Sequence, residues 1–333
     1  MNEQTATFQI VLDSLLAPGR EFPRKYLPHF SDITPLELKT LMDVWSRVKL
    51  DRKLSLLEGL LSLAVTDTLV SFDDFARSVL DDPDAPVRAQ AIRLLDCGAC
   101  DDPKLIPDYL HLLRSDPDVN VRAEAANALN LFVDLGELEE ISEEAYGEVH
   151  AALLDSTRGE NEPRVRRRAL ESLGYSSDPD VIELIESAFD EENIDWKVSA
   201  LTAMGRSADD RWEDRVLRSL LDENVRIRKA AVESAGMLSL KSARLPLLRM
   251  LESEEDGDVM SAAIWSLSQV GGEDVQTYLE ALLDRTEDED LVGFLEDALD
   301  NLAFTENLDR FDLMSFNPDD LEGMEEWDED DDR

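Results

Sequence analysis

Cys97-Gly98-Ala99-Cys100 is the pair with the most reactive spacing in the chain. A Cys-x-x-Cys can cycle between dithiol and disulfide or supply half of a zinc site. Here no second cysteine pair follows and no histidine stands nearby in sequence to complete a tetrahedral set. The pair falls where a helix should end, and the negative end of a helix dipole disfavours thiolate. Asp96, Asp101 and Asp102 flank it and push in the same direction. Structural or incidental cysteines are therefore expected. His29, His111 and His150 are far apart, none in a His-x-x-x-His or His-Glu-x-x-His spacing. No phosphate-cradling glycine loop and no Gly-x-Ser-x-Gly elbow occurs. Acid pairs abound, but at this density a close carboxylate pair carries little information. No catalytic residue, metal site or cofactor is expected, and the chain is read as a non-enzyme.

Charge narrows the partners. The 333 residues hold 33 Lys and Arg against 76 Asp and Glu, a formal net charge of −43. Nucleic acid and anionic membrane surfaces are excluded on that ground, because both attract Lys and Arg rather than carboxylates. A protein or peptide partner, with basic segments favoured, remains. No run of about 18 apolar residues is present and the N-terminus is not basic, so a cytoplasmic monomer is expected. At 43% apolar residues the chain can bury a core.

The elements that must position any site come from a repeat. One template reads Asp/Asn-x-x-Val-Arg-x-x-Ala-x-x-x-Leu. It begins at Asp84, Asp118, Glu162, Asn193, Asn224, Asp256 and Asp288, and places Arg88, Arg122, Arg166, Lys197, Arg228, Met260 and Val292 in one column. Successive column positions are 34, 44, 31, 31, 32 and 32 residues apart. Each repeat reads as two helices, the second with apolar residues at spacings of 3 and 4. Ala91, Ala125, Ala169, Ala200, Ala231 and Ala263 form a small-residue column that lets helices of neighbouring repeats approach. Gly174, Gly205, Gly236 and Gly271 stand where a left-handed residue would end the second helix. A helix pair this small cannot bury its own apolar face, and stacking the pairs does. The residues that open the template, Asp84, Asp118 and Asn224 among them, suit helix N-caps. Arg88, Arg122, Arg166 and Arg228 can each reach an acid of an adjacent repeat, giving a ladder that holds register.

These residues resemble the HEAT-repeat family in its short-unit, bacterial and archaeal form, over about 70% of the chain. The resemblance implies an all-α, right-handed α-solenoid of stacked antiparallel helix pairs whose second helices line the concave face. It says little of function. Among HEAT-like enzymes, the hydroxylases use His-Glu iron ligands, and no His-Glu dipeptide occurs here. The glycosylases are basic. A chromophore lyase or isomerase, or a subunit of one, is the alternative to an interaction scaffold.

The expected organisation is a helical N-terminal cap over 1–70, read as a degenerate repeat, seven repeats over 71–305 and an acidic tail over 306–333. In the cap, Thr34-Pro35-Leu36-Glu37 reads as a capping box opening a helix to Val48, followed by a helix from Arg52 to Leu63. The tail from Asn317 carries ten acids and one Arg, interrupted by Leu321, Met324 and Trp327. It reads as a disordered solubiliser or as a docking motif anchored on Trp327. Arg158, Arg164, Arg166, Arg167 and Arg168 put five Arg within eleven positions, either a ladder residue with a solvated turn or an anion site. On the concave face the template leaves Arg93, Asn127, Arg167, Arg168, Lys229, Trp265 and Phe294 as the protein-binding candidates. Aromatic and Arg residues dominate binding energy, although either ring can instead pack against the next repeat.

Overall fold

The computed structural model describes residues 3–17, 19, 21–158 and 162–313. Among them lie eighteen α-helices, a few 3-10 turns and no strand. The chain is an all-α protein of the α-solenoid class. Its residues group into two units, Met1–Ser207 and Ala208–Arg333.

The first unit holds α1 (Glu3–Leu16), α2 (Pro35–Trp45), α3 (Leu50–Thr66), α4 (Asp73–Ser78), α5 (Ala85–Cys97), α6 (Ile106–Ser115), α7 (Val119–Ala128), α8 (Asn130–Glu137), α9 (Glu143–Arg158), α10 (Pro163–Leu173), α11 (Pro179–Asp190) and α12 (Ile194–Arg206). α4 packs on α5, α6 on α7, α9 on α10 and α11 on α12, and the second helices stack in the order α3, α5, α7, α10, α12. The second unit holds α13 (Glu213–Ser219), α14 (Val225–Met237), α15 (Arg244–Ser253), α16 (Gly257–Val270), α17 (Glu273–Leu283) and α18 (Glu289–Leu313). There α13 pairs with α14, α15 with α16 and α17 with α18, and α14, α16 and α18 stack. The alanine column is fully buried at all six positions, and the bulky residues that follow it, from Ile92 to Ile264, fill the core between helices.

Several boundaries differ from the sequence reading. The capping box is present, with the Thr34 hydroxyl and the Glu37 carboxylate each bonded to the other's amide. Its helix stops at Trp45 rather than Val48. The long step before the third template match is taken up by α8, an additional helix that packs on both α9 and α10. α18 continues to Leu313, so residues 306–313, placed in the tail from sequence, are helical. Phe304, Leu308 and Phe311 continue the apolar spacing of 4 and 3.

The glycine column has another purpose than the one expected. Gly174 is in the right-handed region, and Gly205 and Gly236 lie inside helices. A Cβ on Gly174 would meet the Ala203 backbone at 2.7 Å, and one on Gly236 the Ser266 hydroxyl at 2.7 Å. Close passage of neighbouring second helices, not chain reversal, demands glycine there. Only Gly271, at φ +74°, takes positive φ. Besides Ala208 after α12, at φ 50°, the left-handed turns after second helices fall on Ala99 and Ser239, at φ 47° and 49°. In both, the amide of the next residue reaches back to close a Schellman turn (Cys100 to Leu95, Leu240 to Ala235).

Candidate functional site

The positions one, two and five past the column differ in exposure from repeat to repeat: Ala89, Ala123, Ser199, Ala230 and Glu171 are buried, whereas Ser261, Glu233 and Trp265 are exposed. In the second unit, α14 presents Lys229, Glu233 and Met237 along one stripe at a spacing of four. α16 presents Asp258, Ser261, Ala262, Trp265 and Gln269 opposite it, and Phe294 enters from α18. Together they line a groove of about 400 Å³. Ala262, at position two of α16, is small and lines this space. The Trp265 and Phe294 rings lie 6.3 Å apart, tilted by 34°, so the two aromatics pack on each other across successive repeats. Trp265 nonetheless stays 39% exposed, and Met237 is exposed beside it. Lys229 Nζ lies 3.8 Å from Glu233. Burial pushes the Glu233 carboxyl above its ordinary value, with Lys229 opposing.

In the first unit the same positions carry long polar side chains that bridge one another. Arg93 donates to Glu124 at 2.6 Å and Asn127 to Asp96 at 3.0 Å. Arg168 bonds Glu171 at 2.6 Å, and the same carboxylate accepts the Ser199 hydroxyl. Arg167 lies 3.8 Å from Asp195 and close to the Trp196 ring. The predicted residues are thus in two sets, Arg93, Asn127, Arg167 and Arg168 in one unit and Lys229, Trp265 and Phe294 in the other. The five-Arg segment is not an open anion site. Arg158 bonds Asp180, Arg164 bonds Asn120 with Glu124 at 3.5 Å, and Arg166 bonds the Thr157 carbonyl.

Of the four arginines expected to form a ladder, Arg88 and Arg228 make rungs, with a different acid, while Arg122 and Arg166 bond backbone carbonyls. Arg88 grips Asp116 with two bonds of 2.7 and 2.8 Å, and also donates to the Asp82 carbonyl at 2.7 Å. Arg228 grips Glu254 with bonds of 2.8 and 2.9 Å. In each case the acceptor stands two residues before the N-cap of the next repeat. That carboxylate also accepts the N-cap amide: Asp118 to Asp116 at 2.8 Å, Asp256 to Glu254 at 3.1 Å. Asp118 and Asn224 cap their own helices, while Asp84 makes no such cap bond. Arg122 donates to the Asp116 and Pro117 carbonyls. Burial works to raise the Asp116 carboxyl, but the bonds from Arg88 and the Asp118 amide outweigh it and hold it below the usual carboxylate value. Arg228 holds Glu254 low in the same way.

Sequence reasoning missed the first rung. Lys53, 97% buried, bonds Asp82 at 2.6 Å, and the Trp45 indole donates to the same oxygen. Lys53 stands four residues after Lys49, the N-cap of α3, just as Arg88 follows Asp84. α3 is therefore the second helix of the degenerate repeat expected in the cap. The signal was the Asp82-Pro83 turn preceding Asp84 in the manner of Asp116-Pro117 before Asp118, with a lysine 35 residues upstream of Arg88.

His150 belongs to a polar cluster that sequence spacing did not reveal. Its Nε2 lies 3.1 Å from the Ser176 hydroxyl, and Tyr146 bonds Glu137 and Ser176. Asp178 approaches that same Nε2 at 3.7 Å, not the other ring nitrogen, and Ser176 is buried. A nucleophilic relay needs the acid on the far nitrogen and an accessible hydroxyl; this cluster instead ties α8 and α9 to the turn after α10. Cys97 is exposed and Cys100 half-buried, in the closing turn of α5. Burial raises both thiols, Asp96 adding to the effect at Cys97 and Asp73 at Cys100. Among the described residues no three His, Cys, Asp or Glu side chains gather as a metal site, and no helix is long and apolar enough to cross a membrane. Leu321, Met324 and Trp327 lie outside the described residues.

Comparison with known proteins follows the repeats. The model for HEAT repeats matches residues 74–145 and 215–299, and that for the PBS lyase HEAT-like repeat matches residues 165–191. No curated protein matches the chain. Among solved structures, the complex of CpcE and CpcF of phycocyanin lyase from Nostoc sp. PCC7120 aligns at 17% identity, over 81% of this chain and 95% of that one, with a TM-score of 0.51. YibA from E. coli aligns at 16% identity over 86% and 99%, TM-score 0.41. Human deoxyhypusine hydroxylase aligns at 15% identity over 90% and 97%, TM-score 0.36. At these identities the likeness is one of fold. With alanine columns buried between stacked second helices and family matches in both units, the chain belongs to the HEAT-repeat family.

Proposed function

We propose that this protein is a non-enzymatic scaffold or adaptor, monomeric and cytoplasmic, that binds a protein or peptide along the exposed face of its second helices. The carrying observation is the α14–α16–α18 groove, where Trp265 keeps 39% of its surface in contact with solvent although Phe294 packs beside it. An exposed aromatic in an open groove is the kind of anchor on which interfaces concentrate their energy. Basic segments suit the net charge of −43. The HEAT-like chromophore lyase is the alternative, and the match to the PBS lyase repeat is what keeps it in view. The mixed lining of the groove, Lys229, Glu233 and Asp258 around the aromatics, favours a scaffold over a pocket for a conjugated chromophore.

The test is capture from native lysate on the full-length chain, beside a Trp265→Ala, Phe294→Ala variant, with mass spectrometry of what is retained. A partner kept by the first and lost by the second is the expected result. Retention of every partner by the variant would refute the groove as the binding surface.

A further inference from the structure

The α14–α16 groove has a chemistry more specific than its shape. In the repeat template, Glu233 and Trp265 hold the same position, five past the column, in successive second helices. Stacked helices lie about 8–10 Å apart, so the two side chains stand side by side about one helix spacing apart, and both line the groove. Asp258 joins them two turns before Trp265 on the same stripe of α16. The lining thus holds two carboxylates, an exposed indole face and one cation, Lys229. Lys229 is a loose partner: it stands 3.8 Å from Glu233, with both side chains more than 40% exposed.

We infer that the space bounded by Glu233, Asp258 and the Trp265 ring receives one cationic side chain, Arg or Lys, from the bound partner. The inference rests on the reading of this groove as a partner-binding surface. Each wall supplies a complementary term. The indole face attracts a cation through its quadrupole, most strongly for Trp. The carboxylates accept charge-assisted hydrogen bonds, and a guanidinium offers two parallel donors while stacking on the ring, which makes Arg the better fit. Ala262 and Ser261 leave room for the alkyl stem between the stripes. In the first unit the same template positions hold Arg93, Glu124, Arg168 and Glu171, which satisfy one another. There the protein has supplied its own guanidinium to the carboxylate; Glu233 has only the loosely held Lys229, and Asp258, two residues before the column, adds a second carboxylate to the same groove.

Two uncharged-tail probes test this on the full-length, 15N-labelled chain in about 0.15 M salt, where the Debye length is about 8 Å. N-acetylarginine methylamide is titrated against N-acetylcitrulline methylamide, its neutral isostere, while the Trp265 indole N–H signal is followed; Trp265→Phe assigns it. The expected result is a saturable shift with the arginine compound, at least ten-fold weaker with citrulline, and three- to ten-fold weaker in Glu233→Gln or Asp258→Asn. Equal response to both compounds overturns the cation subsite; if the lysate partner is still lost on Trp265→Ala, Phe294→Ala, the groove reading stands without it. No shift at Trp265 overturns it as well, as does a shift spread evenly over all indoles, which would report general attraction of a cation to an acidic chain.

Discussion

Replacing Arg88 by Met removes one rung of the ladder while keeping most of the buried volume. The guanidinium makes two bonds to Asp116 and further bonds to the Asp82 and Pro83 carbonyls, with its side chain 10% exposed and that of Asp116 4% exposed. After the change Asp116 keeps the Asp118 amide but loses its cation, in a site with little solvent. Breaking a buried pair from one side costs about 3–5 kcal/mol, chiefly because the remaining charge is stranded. The stranded carboxylate can take up a proton, and each unit of pKa rise caps the penalty at about 1.4 kcal/mol per unit. A loss of about 3 kcal/mol is expected, or about a hundred-fold in the local opening constant of α5 and α7. Hydrogen exchange read by mass spectrometry measures that constant directly and does not require two-state unfolding. Adding Asp116→Asn to Arg88→Met should return part of the loss, since the stranded group is then neutral. Arg218→Met is the control: its pair with Asp214 is exposed on both sides and is worth under about 1 kcal/mol. A fall in α5 and α7 protection below about five-fold would refute the view that the rungs hold the stack.

Acid should act in two opposite steps. Asp96, Asp134 and Glu233 are raised chiefly by burial, so the folded chain binds their protons more tightly, and stability rises as pH falls toward their pKa values. Asp116 and Glu254 are lowered, so their contribution is complete above the ordinary carboxylate pKa and is lost as pH falls through the lowered one. Urea midpoints should therefore pass through a maximum in mild acid and then drop, and Asp116→Asn should flatten the drop; a monotonic fall from pH 7 would contradict the assignment. Gly174→Ala should destabilise by about 1–3 kcal/mol, because its Cβ meets the Ala203 backbone at 2.7 Å. Gly147→Ala, inside α9 with open space around it, should stabilise by up to about 1 kcal/mol. Thermal unfolding of the two variants checks both signs, and equal effects would show that close passage is not what selects Gly174.

Much of this architecture was legible because the repeat reports itself seven times. Ala91, Ala125 and Ala169 recur at one position and are all buried, so periodicity read the core correctly. The ladder acid escaped because Asp82, Asp116 and Glu254 sit in turns crowded with other acids, where the N-cap residues Asp84 and Asp118 looked equally suitable. Only the side-chain bonds separate the two. α3 was legible only as part of a degenerate repeat, and its rung escaped because Lys53 stands where the template has Arg and the Lys53–Asp82 contact depends on two residues distant in sequence. The glycines misled for a related reason: a glycine after a helix signals a left-handed turn, and only the neighbouring helix shows that Gly174 and Gly236 answer to crowding. Of the site, the stripe was readable from helical spacing. Which stretch of it is open depended on whether position two carries Arg168 or Ala262, and that is a matter of neighbours rather than of periodicity.

The rung has one further consequence. The repeat of α5 carries Arg88 in its second helix and, in the turn leading to that helix, Asp82, the carboxylate that serves the repeat before it. Plug and socket travel on the same cassette. A repeat copied or excised whole would present its neighbours with the same pair of ends, Lys53 meeting Asp116 as readily as Asp82. α8 already illustrates such latitude, since the chain gains a helix there while α7 and α10 still pack directly together. A whole cassette bounded by such rungs can therefore be gained or lost with a matching cation and carboxylate still in place at the new junction.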